Sequence, residues 1–341
     1  MEQSLLFSQS PLCPLAVDVI SDGRSYYFYM YDLDYANEQL YAHSACWLKN
    51  LVEASDVYDE DCSDGHQPLM PTAYIKDQDL TPWDEGDLEI VWSKEGHIAS
   101  LYYQGELYSI IPSWADGQDF CGYTKNVVEN TMLGWKLEDV ADVFEQRLSD
   151  SRDFWMQEFN LVWKDYHSPY VDELCQYFGG IDACFDIHKD QFPSRILITF
   201  EKEEKVYAFT VGMGMFSMPN ADRYYDDYQS YARVEFAVVV DKKSCSNDDL
   251  YAIYSMLATL CEHPWKDMDC LADQHIVDVP ILEANHCILM DDDHYAQPFD
   301  LSLKQEGVHL MWVVPLDDED YKQVQEEKHA FVKQLIKEDR K

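Results

Sequence analysis

The length, composition and charge of this chain exclude several classes of protein. Its 341 residues are 47% hydrophobic and 14% aromatic, which is enough material for two packed domains and argues against disorder. The formal net charge of −40 argues against binding to nucleic acid or to an anionic membrane, since both need basic patches. A basic partner and a merely very soluble surface explain that charge equally well.

The cysteines and the N-terminal residues predict the cellular compartment of the protein. The ten cysteines are scattered singly, with no Cys-x-x-Cys pair and no Cys/His spacing typical of zinc. Met1–Leu6 has Glu2 where a secretory signal would be basic, and its apolar run is short. No apolar stretch is long enough to span a bilayer. We therefore expect a cytoplasmic protein with unpaired thiols and with no metal or cofactor.

The first predicted elements are a hairpin, a helix and a loop. Leu15–Ile20 and Ser25–Tyr31 are typical of strands, and Asp22-Gly23 between them is a turn signal. Asn37–Val52 is predicted as a short helix with a partly buried face. Residues 53–88 are acidic and interrupted by glycine and proline, which predicts a loop-rich segment.

A β-meander and a helical region follow. Three short strands separated by glycine-containing turns are predicted at Leu88–Trp92, Ile98–Tyr103 and Glu106–Ile111. Apolar residues recur at helical spacing, with one break, across Leu137–Trp163. A boundary near Ser149–Asp153 gives two domains: an N-terminal α+β region with the meander over 1–150, and a second domain over 151–341.

The second domain is predicted to combine a mixed sheet with packed helices, an α+β or mixed α/β fold. Its predicted strands are Arg195–Phe200, Val206–Val211, Val234–Val240, and segments near His275–Val279, His286–Met290 and His309–Val314. A helix over about Asp248–Cys261 is capped by Ser246 or Asn247.

The last strand and helix carry more specific predictions. Trp312 is expected in the core, and Pro315 is expected to end the strand because proline cannot donate to a sheet ladder. The final helix is expected to pack one face, formed by Tyr321, Val324, Phe331 and Leu335.

No catalytic constellation is recognisable. Gly212-Met213-Gly214 lacks the third glycine and the Lys-Ser/Thr end of phosphate-binding loops, so a tight turn with close backbone approach is the better interpretation. Hydrolase, zinc-protease and kinase motifs do not occur. Carboxylates are too common in so acidic a chain to indicate a glycosidase. We expect no enzymatic activity.

The remaining feature is a segment in which tyrosines alternate with acids between two predicted strands. Tyrosine is enriched at recognition surfaces, and neighbouring aspartates suit an Arg- or Lys-bearing partner. The alternative is a loop whose tyrosines pack on their own domain. The residues predicted to bind a partner are Tyr224, Tyr225, Asp226, Asp227, Tyr228 and Tyr231.

A set of segments occurs in a characteristic order along the second domain: Ala208–Met215 with its Gly-Met turn, Arg233–Val240 with its glutamate, His263-Pro264-Trp265, Gln274-His275, His286–Met290, and Val308–Leu335 with its strand, Pro-Leu-acidic turn and helix. This ordered set resembles the suppressor of fused (SUFU) domain family. The resemblance covers about residues 155–341, and the region from Ile90–Gly96 to Gly134-Trp135 resembles the part that precedes this domain in bacterial SUFU-domain proteins.

This resemblance implies a non-enzymatic protein-binding module. Animal members bind and restrain a transcription factor, and bacterial members are proposed to be immunity proteins that neutralise toxins. A second region precedes the domain here and we expect no comparable C-terminal domain, which favours a bacterial immunity protein that directly binds a toxin with a basic surface. The alternatives are an adaptor that sequesters an endogenous regulatory protein and an acidic hydrolase with an unrecognised site. A pocket of perturbed titratable groups would favour the hydrolase.

Overall fold

A computed structural model describes residues 2–34, 36–58, 66–117, 119–187, 193–278, 284–291, 307–326 and 328. The chain divides into two units, Met1–Gln157 and Glu158–Lys341. The predicted division after residue 150 falls inside helix α1 (Ala141–Trp155), and the two units divide after that helix.

The first sheet of the N-terminal unit is a four-stranded antiparallel meander in the order β1-β2-β3-β4. The predicted hairpin is present, and its turn is fixed by Asp22, whose Oδ1 accepts hydrogen bonds from the backbone N–H groups of Arg24 and Ser25 at 2.7 and 2.9 Å. The four strands are β1 (Gln3–Gln9), β2 (Leu15–Ser21), β3 (Ser25–Asp34) and β4 (Gln39–Asn50).

The predicted helix at Asn37–Val52 is wrong, because strand β4 occupies this segment. It pairs with β3 along its whole length, from Ser25 opposite Asn50 to Asp34 opposite Gln39. The register shifts twice, and burial does not alternate along the strand: its first four residues are exposed and its last five are all buried. The segment therefore lacks the period of two by which a strand is recognised in a sequence.

The second sheet contains the predicted meander, extended by two short strands. Helix α1 packs against β5, and Phe144 and Leu148 join Val91, Ile98 and Ile110 in one apolar core. The described part of 53–88 contains 3-10 turns at Thr72–Tyr74 and Glu85–Asp87. The five strands are β5 (Leu88–Trp92), β6 (Ile98–Tyr103), β7 (Glu106–Pro112), β8 (Tyr123–Thr124) and β9 (Trp135–Lys136).

The C-terminal unit is built on one seven-stranded sheet in the order β10-β11-β12-β13-β16-β15-β14. The pairing of β13 with β16 is parallel and the others are antiparallel, so the predicted mixed sheet is confirmed. The strands are β10 (Ala183–Asp186), β11 (Ile196–Lys202), β12 (Lys205–Val211), β13 (Arg233–Asp241), β14 (Ile276–Val277), β15 (His286–Asp291) and β16 (Val308–Leu316).

Helices pack on this sheet as predicted for an α+β fold. Helix α2 contacts β11, α4 contacts β12, and α3 contacts β13 and β16. Ser246 caps α4 in a reciprocal capping box with Asp249, which satisfies backbone donors at the helix start. The helices are α2 (Phe159–Phe178), α3 (Tyr228–Tyr231), α4 (Asn247–Lys266) and α5 (318–326).

The last strand does not end at Pro315. Strand β16 continues to Leu316, and Pro315 lies opposite Cys287 of β15. The pairing of β16 with β13 ends at Trp312, so beyond that residue β16 is an edge on one side. Proline is tolerated at an edge because its missing N–H costs no ladder hydrogen bond.

Two predictions about buried side chains in this region hold. Trp312 is 1% exposed and lies in the core, and Val324 of α5 is 2% exposed. Tyr321, also on α5, stacks on His286 with 3.7 Å between ring centres. Phe331 and Leu335, the other residues of the predicted helix face, lie outside the described residues.

Candidate protein-interaction surface

The six residues predicted to bind a partner lie on the segment that leads into β13. The chain makes a 3-10 turn at Ala221–Arg223 and then forms α3. Because β13 and β16 run in parallel from Arg233 opposite Val308, the segment lies beside the first residues of both strands. We call the predicted residues together with His309 the tyrosine–aspartate surface; its members are Tyr224, Tyr225, Asp226, Asp227, Tyr228, Tyr231 and His309.

Two of these tyrosines stack with a histidine that sequence reasoning missed. Tyr225 and Tyr231 lie 4.6 Å apart between ring centres, and Tyr231 and His309 lie 5.1 Å apart, with nearly parallel rings in both pairs. His309 Nε2 donates to the Ser230 carbonyl at 2.7 Å, which fixes the imidazole ring, since a carbonyl only accepts. Tyr231 is 41% exposed, so the middle ring of the stack reaches solvent.

Tyr224 lies in a second group of polar and aromatic side chains. Its ring is 54% exposed, and its hydroxyl donates to Asp269 Oδ1 at 3.1 Å. The ring also meets His275 edge to face at 6.0 Å. Burial lowers the pKa of His275, so this imidazole is neutral at neutral pH. Tyr224 is therefore held against its own domain while much of its area stays accessible.

The two predicted aspartates are exposed. Asp227 Oδ2 accepts a hydrogen bond from Ser230 Oγ at 2.7 Å. Among the described residues, neither Asp226 nor Asp227 forms an ion pair. Tyr228, which begins α3, is half-buried. The surface therefore offers negative charge next to aromatic area.

The tyrosine hydroxyl inside the stack adds no charge to this surface. Burial, helped by the neighbouring Cys270 and Asp273, raises the pKa of Tyr225 to about 12. The phenol is thus protonated at neutral pH and can donate a hydrogen bond. The negative charge of the surface comes from its carboxylates.

A fully buried carboxyl group lies on β13, just after the segment that carries the tyrosine–aspartate surface. Glu235 lies on β13 and is 0% exposed. Its Oε1 accepts hydrogen bonds from the Tyr166 hydroxyl at 2.6 Å and from the backbone N–H groups of Gly212 and Gly214 at 2.8 and 3.0 Å. Its Oε2 accepts from Thr210 Oγ1 at 2.7 Å. Burial raises the pKa of this carboxyl, while the hydrogen bonds act to lower it.

The Gly212-Met213-Gly214 turn has the close backbone approach predicted for it. Gly212 has φ +115°, a conformation that favours glycine. A Cβ on Gly214 would lie 2.2 Å from Tyr166 Oη and 2.6 Å from Val308 Cγ1. The turn therefore delivers two backbone donors to Glu235 and no phosphate-binding loop is formed.

A buried arginine lies within electrostatic reach of this carboxyl group. Arg195 is 3% exposed, its guanidinium lies 4.3 Å from the ring centre of Trp265, and Nη1 donates to the Cys261 carbonyl at 2.7 Å. Burial lowers the pKa of Arg195, and the charge of Glu235 acts to raise it. The network of Glu235 and its partners is structural, because a fully buried carboxylate with four donors presents nothing to a substrate.

The described part of the chain gives no structural support for a metal site or for a membrane-spanning helix. Within the described ranges, no group of three or more His, Cys, Asp or Glu side chains is arranged to hold a metal ion. None of the described helices combines the length and the apolar character that crossing a bilayer requires.

The C-terminal unit is a mixed sheet with packed helices that presents stacked aromatic rings beside carboxylates, and these features suit a protein-interaction module in general. Residues 193–341 match the family model described as Suppressor of fused protein (SUFU), and this part of the chain is a SUFU domain. Domains of this family are generally binding or regulatory and not catalytic. The match leaves out residues 155–192 and the upstream region that also resembled the family. No curated protein matches the chain.

Proposed function

We propose that this protein is a bacterial immunity protein that neutralises a toxin with a basic surface by binding it directly through the tyrosine–aspartate surface. The observation that carries the proposal is the Tyr225–Tyr231–His309 stack beside two exposed aspartates in a SUFU domain. Stacked, oriented rings supply contact area at low entropic cost. The net charge of −40 would steer a basic partner toward the protein.

The two kinds of side chain should contribute differently to such a complex. Tyrosines buried at the interface would slow its dissociation, since aromatic residues dominate binding energy at interface centres. Exposed aspartates would mainly accelerate association, and salt would screen that effect. The proposal therefore predicts separable kinetic effects of the two residue types.

The experiment is a binding measurement between the full chain and the purified toxin encoded next to its gene, at about 50 mM and about 200 mM salt. Replacing Tyr224, Tyr225 and Tyr228 together by alanine should weaken binding at least about tenfold, mostly through faster dissociation. The matched control is Tyr251→Ala, which removes a tyrosine that is 60% exposed on α4 and should leave affinity unchanged.

A charge-matched pair of variants tests the aspartates. Asp226→Asn with Asp227→Asn should slow association and flatten its salt dependence. Asp248→Asn with Glu262→Gln makes the same change in charge on exposed positions of α4 and should have a smaller effect.

Unchanged affinity in a folded triple tyrosine variant, checked by circular dichroism, would remove this surface from the interface. A partner encoded away from any toxin gene would instead indicate an adaptor that sequesters a regulator.

A further inference from the structure

The N-terminal unit contains an open groove of about 1330 Å³ that the SUFU domain does not involve. Its residues come from one face of α1 and the 3-10 turn before it, the β6–β7 hairpin, the loops that contain Asp77 and Trp83, Lys49 on β4, and the residues just after β8. Pockets for small ligands are typically about 300–1,000 Å³, so this groove is large enough for several residues of an extended peptide.

Helix α1 lines the groove with one polar face. Asp142, Glu145, Ser149 and Arg152 all line it, and their spacing of three and four residues places them on the same side of a helix. Asp142 and Glu145 are exposed. The wall formed by α1 therefore presents two carboxylates in its first half and a guanidinium near its end.

Aromatic rings form the floor of the groove. Trp83 stacks on Tyr103 with 4.8 Å between ring centres and meets Tyr108 edge to face at the same distance. Lys49 is 4% exposed, and its Nζ lies 5.8 Å from the ring centre of Trp83. It donates to Asp79 Oδ2 at 3.1 Å and to the Thr81 carbonyl at 2.7 Å. These contacts fix the floor before any ligand arrives.

The cations that line the groove are already paired. Lys49 pairs with Asp79, Lys76 with Glu138, Lys125 with Glu106 and Arg152 with Glu89. Within the described ranges, no ion pair involves the remaining lining carboxylates, Asp77, Asp142 and Glu145. The groove therefore has acceptors for an incoming cation and its cationic groups are engaged, which disfavours an anionic ligand.

The electrostatic environment of the aromatic floor also favours a cationic ligand. Partial desolvation and the nearby carboxylates of Asp87, Asp79 and Asp84 raise the pKa of Tyr103. Burial and the charges of Asp77 and Asp79 raise the pKa of Tyr108. Both phenols thus lie in a negative potential that would attract a cation and that keeps them protonated.

One arginine of the protein already shows how a guanidinium fits beside the groove. The Arg152 guanidinium lies 3.9 Å from the ring centre of Tyr102, and its Nη2 lies 2.6 Å from Glu89 Oε2. It is thus stacked on a tyrosine and paired with a carboxylate, an arrangement that favours arginine over lysine. Tyr103 and Glu145 offer a second tyrosine and a second carboxylate lining the same groove.

We propose that this groove binds an arginine-bearing extended segment of a protein partner. Guanidinium groups would stack on the aromatic floor and pair with Asp142, Glu145 and Asp77. The proposal does not depend on the tyrosine–aspartate surface, which belongs to the other unit. It assigns a binding role to the N-terminal unit that is separate from that of the SUFU domain.

The test uses the full chain and the probe acetyl-Arg-Gly-Arg-Gly-Arg-amide, with the corresponding lysine peptide for comparison, by calorimetric titration at about 50 mM salt. Asp142→Asn with Glu145→Gln should weaken binding of the arginine peptide by roughly fivefold. The matched control, Asp150→Asn with Asp153→Asn, removes the same charge from exposed positions of the same helix that do not line the groove. It should change affinity by less than about twofold.

A third variant tests the aromatic floor. Tyr103→Leu keeps apolar volume but removes the stacking ring, so it should weaken the arginine peptide more than the lysine peptide. Equal losses in the two charge variants, or equal affinity for both peptides in the wild type, would show non-specific attraction to an acidic protein and overturn the proposal. So would tighter binding of an Asp-Gly-Asp-Gly-Asp peptide than of the arginine peptide. Unchanged thermal melting in each variant controls for folding.

Discussion

The Tyr166 hydroxyl donates a hydrogen bond of 2.6 Å to Glu235 Oε1 and so joins helix α2 to strand β13 inside the C-terminal unit. The two residues are 69 positions apart in the chain, and both are buried. The same carboxylate oxygen holds the Gly212–Gly214 turn. Because β13 begins directly after the tyrosine–aspartate surface, this bond helps to keep the base of that surface rigid.

Removing this hydroxyl should destabilise the protein without changing its shape. Tyr166→Phe leaves a fully buried carboxyl with three donors in place of four, and the loss of a hydrogen bond to such a group costs roughly 1–3 kcal/mol. A urea titration measures the change in the free energy of unfolding. Tyr251→Phe is the control, since that ring is 60% exposed and should change stability by less than about 0.5 kcal/mol. Equal stabilities of the two variants would contradict a structural role for the bond.

A methyl group at Gly214 should be poorly tolerated. Its Cβ would lie 2.2 Å from Tyr166 Oη, so Gly214→Ala must displace the tyrosine or the turn, at a cost of roughly 1–3 kcal/mol. Gly180→Ala is the matched control, because nothing lies within 4 Å of a Cβ at that position. Combining Gly214→Ala with Tyr166→Phe removes the clashing oxygen. The double variant should therefore lose less stability than the sum of the single changes. Additive losses would show that the clash with the Tyr166 hydroxyl is not the cause and would leave the approach to Val308 Cγ1 at 2.6 Å as the explanation.

The core around Trp312 offers a test of packing. The side chain is 1% exposed and meets Phe209 edge to face at 5.9 Å. Trp312→Ala should lower the free energy of unfolding by roughly 3–5 kcal/mol, because it removes apolar contacts and leaves a cavity. Trp312→Phe keeps most of the volume and should cost much less. Denaturant titration of both variants decides the matter, and a negligible effect of the alanine change would mean that the tryptophan is not packed as described.

Local patterns predicted the sheet of the C-terminal unit better than the first sheet of the N-terminal unit. Strands β12, β13 and β16 are short apolar runs bounded by turns, and each was found near its predicted position. Strand β4 was missed because its first four residues are all exposed and its last five all buried, so it has no alternation. Its burial and its two register shifts against β3 depend on the partner elements as much as on its own residues. A local pattern carries no information about such a partner.

Prediction of the candidate surface was limited in the same way, because local patterns do not show which distant side chains meet. Its tyrosines and aspartates were recognised by composition, but His309 was not, because it joins the stack only through the parallel pairing of β13 with β16. Likewise, the glutamate on β13 was noted as part of a motif, but its donors lie far away along the chain. A buried glutamate in an apolar strand does indicate that such donors must exist, though not which residues supply them.

A histidine in the N-terminal unit should make stability depend on pH. His43 Nδ1 lies 3.1 Å from Asp32 Oδ2, and Nε2 lies 2.8 Å from the Ser113 carbonyl. Both partners are acceptors, and only the imidazolium can donate from both nitrogens. The hydrogen bond to Asp32 is the main cause that raises the pKa of His43 above its usual value, against the opposing effect of burial.

The sign of the effect follows from this upward shift. The folded state holds the proton to a higher pH than the unfolded state, so the stabilisation is fully present below the unfolded pKa and is lost as the pH rises through the folded pKa. The free energy of unfolding of the wild type, relative to that of His43→Gln, should therefore be greater at about pH 5.5 than at about pH 8.5, by no more than about 1 kcal/mol. Asp32→Asn should remove most of this difference while keeping the contact with Ser113. Urea titrations at both pH values measure it, and a difference that grows with rising pH would show that the imidazole is held in its neutral form.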